Sequence, residues 1–260
     1  MFGQILITEF MKLKRSKITW LSWLAISIMP LVGGLFMWIV EEPGRAAQLG
    51  LLGDKAQLLN ATADWAGYFD MLLQITGIGG MILVSVITAF VFGREYSERT
   101  AKNLLALPAA RRSFVIAKLV VIFVWFGVLT LSLIAEGLAV GALLGLPGFS
   151  GTLAMASIGN ILLATVVTAL LVPVVAWIAS LGRGYLAPLG FAFFTLVMGM
   201  AIGATGWGKW FPWSIVPLFA GVAGPRAEVL SAGSLAILVL TSAAGTIATI
   251  LHMRYADNSQ

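Results

Sequence analysis

The sequence predicts an all-α integral membrane protein with six membrane-spanning helices, and three observations support this fold class. The chain is 60% hydrophobic and only 10% charged, with a mean hydropathy of +0.98, which is far from the composition of soluble domains. Six apolar segments each have the roughly 20 residues that a helix needs to cross a bilayer. The loops between them are short, so residues 1–260 are expected to form a single domain.

The charges of the loops alternate along the chain. Twelve of the 16 lysines and arginines precede the first apolar segment or lie in every second loop after it. Cytoplasmic loops retain Lys and Arg, so both termini are predicted to be cytoplasmic. The net charge of +5 therefore reflects the membrane topology, and no nucleic-acid partner is expected. The six segments are Ile18–Val40, Tyr68–Phe92, Val115–Leu144, Ser157–Leu181, Leu186–Thr205 and Ala232–Leu251.

Several classes of chemistry are excluded by what the sequence lacks. It has no cysteine, so disulfides, thiolate catalysis and cysteine-ligated metals are ruled out. Its one histidine, His252, stands at the end of the last segment and has no second histidine to pair with. No glycine-rich phosphate loop occurs, so the chain does not bind ATP by that motif. We therefore predict no catalytic residue, no metal site and no cofactor bound by this chain.

The residues before the first span predict an amphipathic interfacial helix. Ile5, Leu6, Phe10 and Leu13 recur at spacings of three and four, and the lysines fall elsewhere on the helical wheel. Such a helix lies in the headgroup layer with its apolar side in lipid. Two interpretations remain open: a simple anchor for the first span, or an elbow that transmits motion from a cytoplasmic partner.

The loop between the second and third spans predicts a short cytoplasmic helix. Glu95 with Arg99, and Glu98 with Lys102, form two pairs at the i, i+4 spacing with the acid first, the favourable order. Pro108 then limits the helix. Leu104, Leu105 and Leu107 lie on or near the other side of this helix. They would touch either the membrane surface or a protein partner.

A tryptophan-rich stretch between the fifth and sixth spans predicts a re-entrant or interfacial outer element. Its apolar part is too short to cross the membrane and is broken by Pro212 and Pro217. Trp207, Trp210 and Trp213 would lie at headgroup depth, where tryptophan is enriched. They form either an ordinary aromatic belt or the exit for an amphipathic substrate.

Glu136 is the one acid inside the apolar stretch that runs from Leu119 to Leu146. A charge within the bilayer is costly, so this carboxyl must be neutral, paired or near water. Counting about 1.5 Å per residue from Val115, at the predicted cytoplasmic end of the span, places Glu136 about 31 Å along the helix and close to the outer interface. It is either an outer-leaflet glutamate or a contact for substrate in a cavity.

Small residues and prolines within the spans predict close packing and local breaks. Glycines at every fourth position allow two backbones to approach closely, within the chain or at a subunit interface. Prolines kink a helix or begin one. The residues concerned are Gly137, Gly141 and Gly145, then Gly199 and Gly203, and finally Pro173 and Pro188.

The chain resembles type-2 ABC exporter permeases in length, six-span layout and loop sizes. Two motifs add to the resemblance. The opening Glu9–Lys17 is similar to the start of the lantibiotic-immunity and bacitracin-export branch, and the loop with Thr100 and Lys102–Pro108, followed by Arg111 and Lys118, is similar to the family's cytoplasmic loop. This chain has Arg99 where the family often has glycine before the loop threonine, and Arg99 fits a continuous helix.

The resemblance implies a permease without its own motor, in a bacterial cytoplasmic membrane. In this family two six-span subunits meet as a homo- or heterodimer, and each loop docks on an ATP-binding subunit as a coupling helix. ATP and magnesium would then be held by that partner, with lipid and an amphipathic substrate as the other partners. The residues implied in coupling are Glu95, Glu98, Arg99, Leu104, Leu105 and Pro108.

Three functions are weighed. The first is the membrane subunit of an ATP-driven exporter that moves or expels an amphipathic substrate such as a peptide antibiotic. The alternative is a non-transporting immunity protein that sequesters a peptide at the outer face. An intramembrane enzyme is disfavoured, because the spans lack a catalytic constellation.

Overall fold

A computed structural model describes residues 2–41, 62–97, 110–224 and 230–255, and the regular structure in these ranges is entirely helical. The elements are α1 (Phe2–Lys14), α2 (Lys17–Glu41), α3 (Trp65–Ser97), α4 (Arg111–Leu143), α5 (Gly151–Ala169), α6 (Val172–Leu181), α7 (Leu186–Gly203), a 3₁₀ turn (Gly208–Trp210), α8 (Pro212–Phe219) and α9 (Ala232–Tyr255).

Within the described ranges, six spans are long and apolar enough to cross a membrane: α2, α3, α4, α5 with α6, α7 and α9. All six predicted apolar segments are thus confirmed as helices, and the fold class is confirmed with them. The end of the bundle that carries α1 is called the N-terminal face here. The end that carries the start of α9 is the opposite face.

Two spans are longer than a bilayer requires. Helices α3 and α4 have 33 residues each, or about 50 Å, against a hydrocarbon core of about 30 Å. The last turns of α3 and the first turns of α4 lie beside α1, because Glu95 and Lys118 form ion pairs with residues of α1. Both helices therefore extend past the start of α2 at the N-terminal face.

The fourth span is broken near its middle. Helix α5 ends at Ala169 and α6 begins at Val172, with Pro173 in its first turn, because proline has no N–H to continue the helical hydrogen bonds. The carbonyl of Pro173 accepts a hydrogen bond from the hydroxyl of Thr249, 3.4 Å away on α9. Pro188 lies in the first turn of α7. The prediction that both prolines start or kink helices is confirmed.

Both glycine stripes pack within the chain except at Gly145, where a Cβ would meet open space. A Cβ at Gly141 would lie 2.5 Å from the ring of Trp65, and one at Gly137 would lie 2.6 Å from Leu72, so α4 approaches α3 closely at both positions. The Tyr68 hydroxyl donates to the Pro30 carbonyl at 2.9 Å and ties α3 to α2. Helix α3 thus packs against both α2 and α4 in the core.

Helix α8 packs alongside α7, in the half of the bundle nearer the opposite face. A Cβ at Gly77 of α3 would lie 2.7 Å from Ala220, just after α8. Gly77 is twelve residues from the start of α3 at Trp65, a depth of about 18 Å at 1.5 Å per residue. Five residues of α8, from Ser214 to Leu218, are buried. This short helix is therefore part of the bundle rather than a surface strap.

Most of the predicted coupling helix lies outside the described residues. Of its implied residues, the structure describes the side chain of Glu95, whereas Glu98, Arg99, Leu104, Leu105 and Pro108 belong to residues 98–109. The predicted pairing of Glu95 with Arg99 therefore stays a prediction.

Candidate functional site

A buried ionic network lies at the N-terminal face and contains two carboxylates and two ammonium groups. Lys118 Nζ lies 2.8 Å from Glu95 Oε1 and 3.2 Å from Glu9 Oε2. Lys12 Nζ lies 2.5 Å from Glu9 Oε1 and 3.6 Å from Glu95 Oε1. The four formal charges cancel, which is the condition under which charges are tolerated in a protein interior.

Lys118 is the centre of this network. Its side chain is 1% exposed, and its ammonium group donates to the Val91 carbonyl at 2.9 Å in addition to its two carboxylate partners. The contacts to Val91 and Glu9 are hydrogen bonds, whereas the contact to Glu95 Oε1 is an ion pair without hydrogen-bond geometry. The ammonium also lies 5.6 Å from the centre of the Phe92 ring, a cation–π distance. These contacts join α1, α3 and α4.

The charge of Glu9 is held by its lysine neighbours. Desolvation by burial raises the pKa of this carboxyl, but the charges and hydrogen bonds of Lys118 and Lys12 outweigh it, and the pKa lies below its usual value of 4.5. Glu9 is therefore an anion at neutral pH. The adjoining cavity measures about 10 Å³, which leaves room for one water molecule at most.

The network joins α1 to both helices that flank residues 98–109. Glu95 comes from the end of α3, Lys118 from the start of α4, and Glu9 and Lys12 from α1. From the sequence, Glu95 was assigned to a loop helix, and Glu9 and Lys118 entered only through the family resemblance, with no pairing predicted between them. The sequence did contain a signal for Lys118. It is a lone cation within an apolar run, just as Glu136 is a lone acid within one.

Glu136 lies between α2 and α4 and accepts hydrogen bonds from two serines. Ser27 Oγ is 2.8 Å and Ser132 Oγ is 2.7 Å from its Oε1 atom. Trp23 Nε1 donates to Ser132 Oγ at 3.1 Å. One turn nearer the N-terminal face, Trp125 Nε1 donates to Ser22 Oγ at 3.0 Å. A ladder of polar contacts therefore runs along this helix pair.

The depth expected for Glu136 is corrected by these contacts. Its partner Ser27 is ten residues from the start of α2 at Lys17, or about 15 Å at 1.5 Å per residue. Glu136 is thus level with the middle of α2 and not with its outer end. The depth counted from Val115 was wrong because the first turns of α4 lie beside α1. They come before the level at which α2 begins.

The three tryptophans of the outer element differ in their surroundings. Trp207 is 74% exposed and Trp210 is 50% exposed, although Trp210 also packs on Gly233 of α9. Trp213 instead lies edge-on to Phe191 of α7, with the ring centres 5.5 Å apart. The partners of Glu136 lie on α2 and α4, so the structure does not bring this carboxylate together with the tryptophans.

Comparison with known proteins identifies the family. Residues 5–199, from α1 to near the end of α7, match the family described as ABC-2 family transporter protein. The chain is 28% identical over 191 residues to the bacitracin transport permease protein BCRB of Bacillus licheniformis, and this alignment covers 73% of the chain and 91% of that protein. The chain therefore belongs to the ABC-2 transporter family, as a multi-pass membrane permease that resembles the bacitracin-export branch.

Proposed function

We propose that this chain is the permease subunit of an ATP-driven exporter. A separate ABC subunit holds ATP and magnesium and hydrolyses the nucleotide, and the N-terminal face lies in the cytoplasm of a bacterial cell. The observation that carries the proposal is the buried network of Glu9, Lys12, Glu95 and Lys118, because it ties α1 to both ends of the segment that would contact the ATPase.

The network supports a mechanical role for α1. When the ATPase moves residues 98–109, the ends of α3 and α4 carry Glu95 and Lys118 with them, and Glu9 follows because its carboxylate is held by Lys118. Helix α1 joins α2 through a tight turn, in which the Thr19 hydroxyl donates to the Leu13 carbonyl. Motion of the loop thereby reaches the first span.

The proposed substrate is an amphipathic molecule such as a peptide antibiotic. The similarity to a bacitracin transport permease supports this class. So do the exposed indoles of Trp207 and Trp210 at the opposite face, because an indole combines an apolar ring with a polar N–H.

A second six-span permease, either an identical copy or a different chain, is proposed to complete the transporter. In the most apolar 18-residue stretch of each helix, only 28% of α2 and 22% of α9 is buried within this chain. Lipid and a second permease are the proposed neighbours of these two faces.

A sequestering immunity protein is the less favoured function. Such a protein would need a binding surface at the outer face, but it would have no use for a charged connection between α1 and a cytoplasmic loop. Burying two carboxylates and a lysine costs free energy. A role in coupling to an ATPase explains why these buried charges are present.

The test of coupling uses Glu9→Gln in the permease reconstituted with its ATP-binding subunit. The variant keeps the shape of the side chain and loses the charge that binds Lys118. We expect transport of bacitracin per ATP hydrolysed to fall roughly two- to thirtyfold, the range of a coupling energy of 0.5–2 kcal/mol. Lys14→Gln is the matched control, since Lys14 is an exposed charge on the same helix. Equal losses in both variants would contradict the proposed role of α1.

Docking of the ATPase is tested separately with Leu104→Ser combined with Leu105→Ser. Burying a leucine in a partner is worth about 1.5–3 kcal/mol, so the double variant is expected to weaken ATPase binding roughly a hundredfold. Copurification from membranes measures the effect. If the ATPase stays bound at wild-type level, the loop is a passive connector and the docking proposal fails.

A further inference from the structure

The carboxylate of Glu136 has an unused oxygen. Both hydrogen bonds that it accepts from described residues, those from Ser27 and Ser132, go to Oε1. No lysine, arginine or histidine in the described ranges forms a salt bridge with it. Lys118 differs, because its charge is neutralised by carboxylates of the same chain. An acid at mid-span depth is a functional-site hypothesis whose partner has to be named.

Two exposed indole rings of α2 adjoin the Ser132 side of this cluster. Trp23 is hydrogen-bonded through Ser132 to the same cluster and is 40% exposed. Trp20 is 70% exposed and meets Trp23 edge-on, with the ring centres 6.2 Å apart. Indole faces attract cations. The N–H edge of Trp23 is bound to Ser132, so an anion and exposed indole rings lie on one flank of the bundle, and both features favour a positively charged group.

The flank around the cluster is apolar and open to the membrane. Leu24 on α2 is 53% exposed and Leu131 on α4 is 58% exposed. We propose that Glu136 and Trp23 bind the ammonium or guanidinium group of a cationic amphiphile whose apolar part lies along Leu24 and Leu131. This names a substrate class for the proposed exporter and rests on that function for its use in transport. The binding itself is measurable on the permease alone.

A second copy of the chain is a poorer occupant of this flank. In a two-fold symmetric contact residue i meets residue j and j meets i, so only residues near the axis lie close to their own equivalents. An interface centred here would bring two Glu136 carboxylates together in a medium of low dielectric, where like charges repel strongly. A cationic ligand instead supplies the opposite charge.

The test uses a photoreactive long-chain primary amine and its N-acetylated, uncharged counterpart. The full-length permease is placed in nanodiscs of zwitterionic lipid, and labelled peptides of α2 and α4 are quantified by mass spectrometry. We expect the amine to label residues 20–27 and 128–136 about tenfold more than the amide, since hydrogen bonds to charged groups are worth at least that ratio. Glu136→Gln should reduce amine labelling to the level of the amide.

Two matched controls accompany this variant. Glu41→Gln removes an exposed acid from the end of the same α2 and should leave labelling unchanged. Trp23→Leu removes the indole but keeps an apolar side chain, and it should lower amine labelling about threefold or more without affecting the amide. Trp38→Leu, farther along α2, should have no effect. If Glu136→Gln fails to fold, the comparison of Trp23→Leu with Trp38→Leu still tests the proposal.

Two results would overturn the proposal. One is equal labelling by the amine and the amide, which would make the flank an ordinary lipid-facing surface. The other concerns Leu24→Cys, which introduces the only cysteine of the chain. A disulfide-linked dimer of this variant in nanodiscs would assign the flank to a second copy. Failure of transport with intact labelling would count against the export function and leave the binding site standing.

Discussion

At the residue scale, two charges within the helices are stabilised in different ways. Lys118 is 1% exposed, forms ion pairs with two carboxylates and donates to a carbonyl, so its charge is neutralised within the chain. Glu136 is half-buried and accepts from two serine hydroxyls. The first arrangement is complete within the chain, which suits a structural connection. The second leaves capacity for an external group, which suits a binding site.

Removing the charge of Lys118 should destabilise the N-terminal face strongly. Lys118→Met leaves two buried carboxylates, Glu9 and Glu95, with Lys12 as their one cation in the network, and breaking a buried ion pair costs about 3–5 kcal/mol. Unfolding of the purified permease in mixed micelles measures the loss. Lys14→Met, an exposed charge on α1, should change stability by less than about 1 kcal/mol. Similar losses in both variants would argue against a buried network.

The pH dependence of stability should depend on Glu9. Because its pKa in the folded protein lies below 4.5, the stabilisation is fully present above that pH and disappears as the pH falls through the lowered value. The thermal midpoints of wild type and Glu9→Gln should differ most near neutral pH and converge below about pH 4.5. Glu41→Gln, at an exposed position, should show no such convergence. A difference that stays constant across this range would refute the assignment.

At the element scale, α8 depends on a close backbone contact with α7. A Cβ at Gly199 would collide with the carbonyl of Trp213, and a backbone atom cannot move aside as a flexible side chain does. Ser214, the next residue, is buried and holds the start of α8 through hydrogen bonds to the carbonyls of Gly208 and Phe211. The outer element is thus fastened at its first turn.

Gly199→Ala should therefore loosen the outer element, at a cost of about 1–3 kcal/mol for overpacking. Protease susceptibility of the segment between α7 and α9, together with the thermal midpoint, measures this. Gly190→Ala is the control on the same helix, because its Cβ would meet open space. Alanine at an exposed helical position is expected to stabilise by up to about 1 kcal/mol. Stabilisation by both variants would show that the contact is not tight.

The helices were predictable from the sequence, but their relative depths were not. Apolar runs of about 20 residues fix the existence of each span, and prolines fix starts such as that of α6. Hydropathy cannot tell how far a helix continues past the bilayer, because α3 and α4 extend through residues that pack against α1. The depth of Glu136 was misjudged for this reason, and only its contact with Ser27 sets it.

The candidate site was predictable only in part. Glu136 stood out because it is a lone acid in an apolar run, and the same rule would have found Lys118. One partner of each residue, Ser27 for Glu136 and Glu9 for Lys118, lies 109 positions away in sequence, and no local pattern reports such a contact. Likewise, three tryptophans in one stretch look equivalent in the sequence, yet Trp213 packs against Phe191 while Trp207 is exposed.

At the scale of the whole molecule, the proposed orientation puts both termini in the cytoplasm. The natural absence of cysteine allows single-cysteine variants to be tested with a membrane-impermeant maleimide in intact cells. We expect Thr152→Cys at the opposite face to react at once. Lys14→Cys and Tyr255→Cys should react only after permeabilisation. All three positions are exposed. The reverse pattern would invert the topology and place the network on the outer side.

The ladder between α2 and α4 has a consequence for how the molecule changes shape. The contacts Ser22–Trp125, Trp23–Ser132 and Ser27–Glu136 are spread along two parallel helices, so neither helix can slide without breaking several of them. The pair therefore acts as a rigid strut. Bending must concentrate where the backbone is already interrupted, and within the described spans Leu170 and Leu171, between α5 and α6, provide such a joint. A transport cycle in this permease would pivot there, with the strut as its fixed frame.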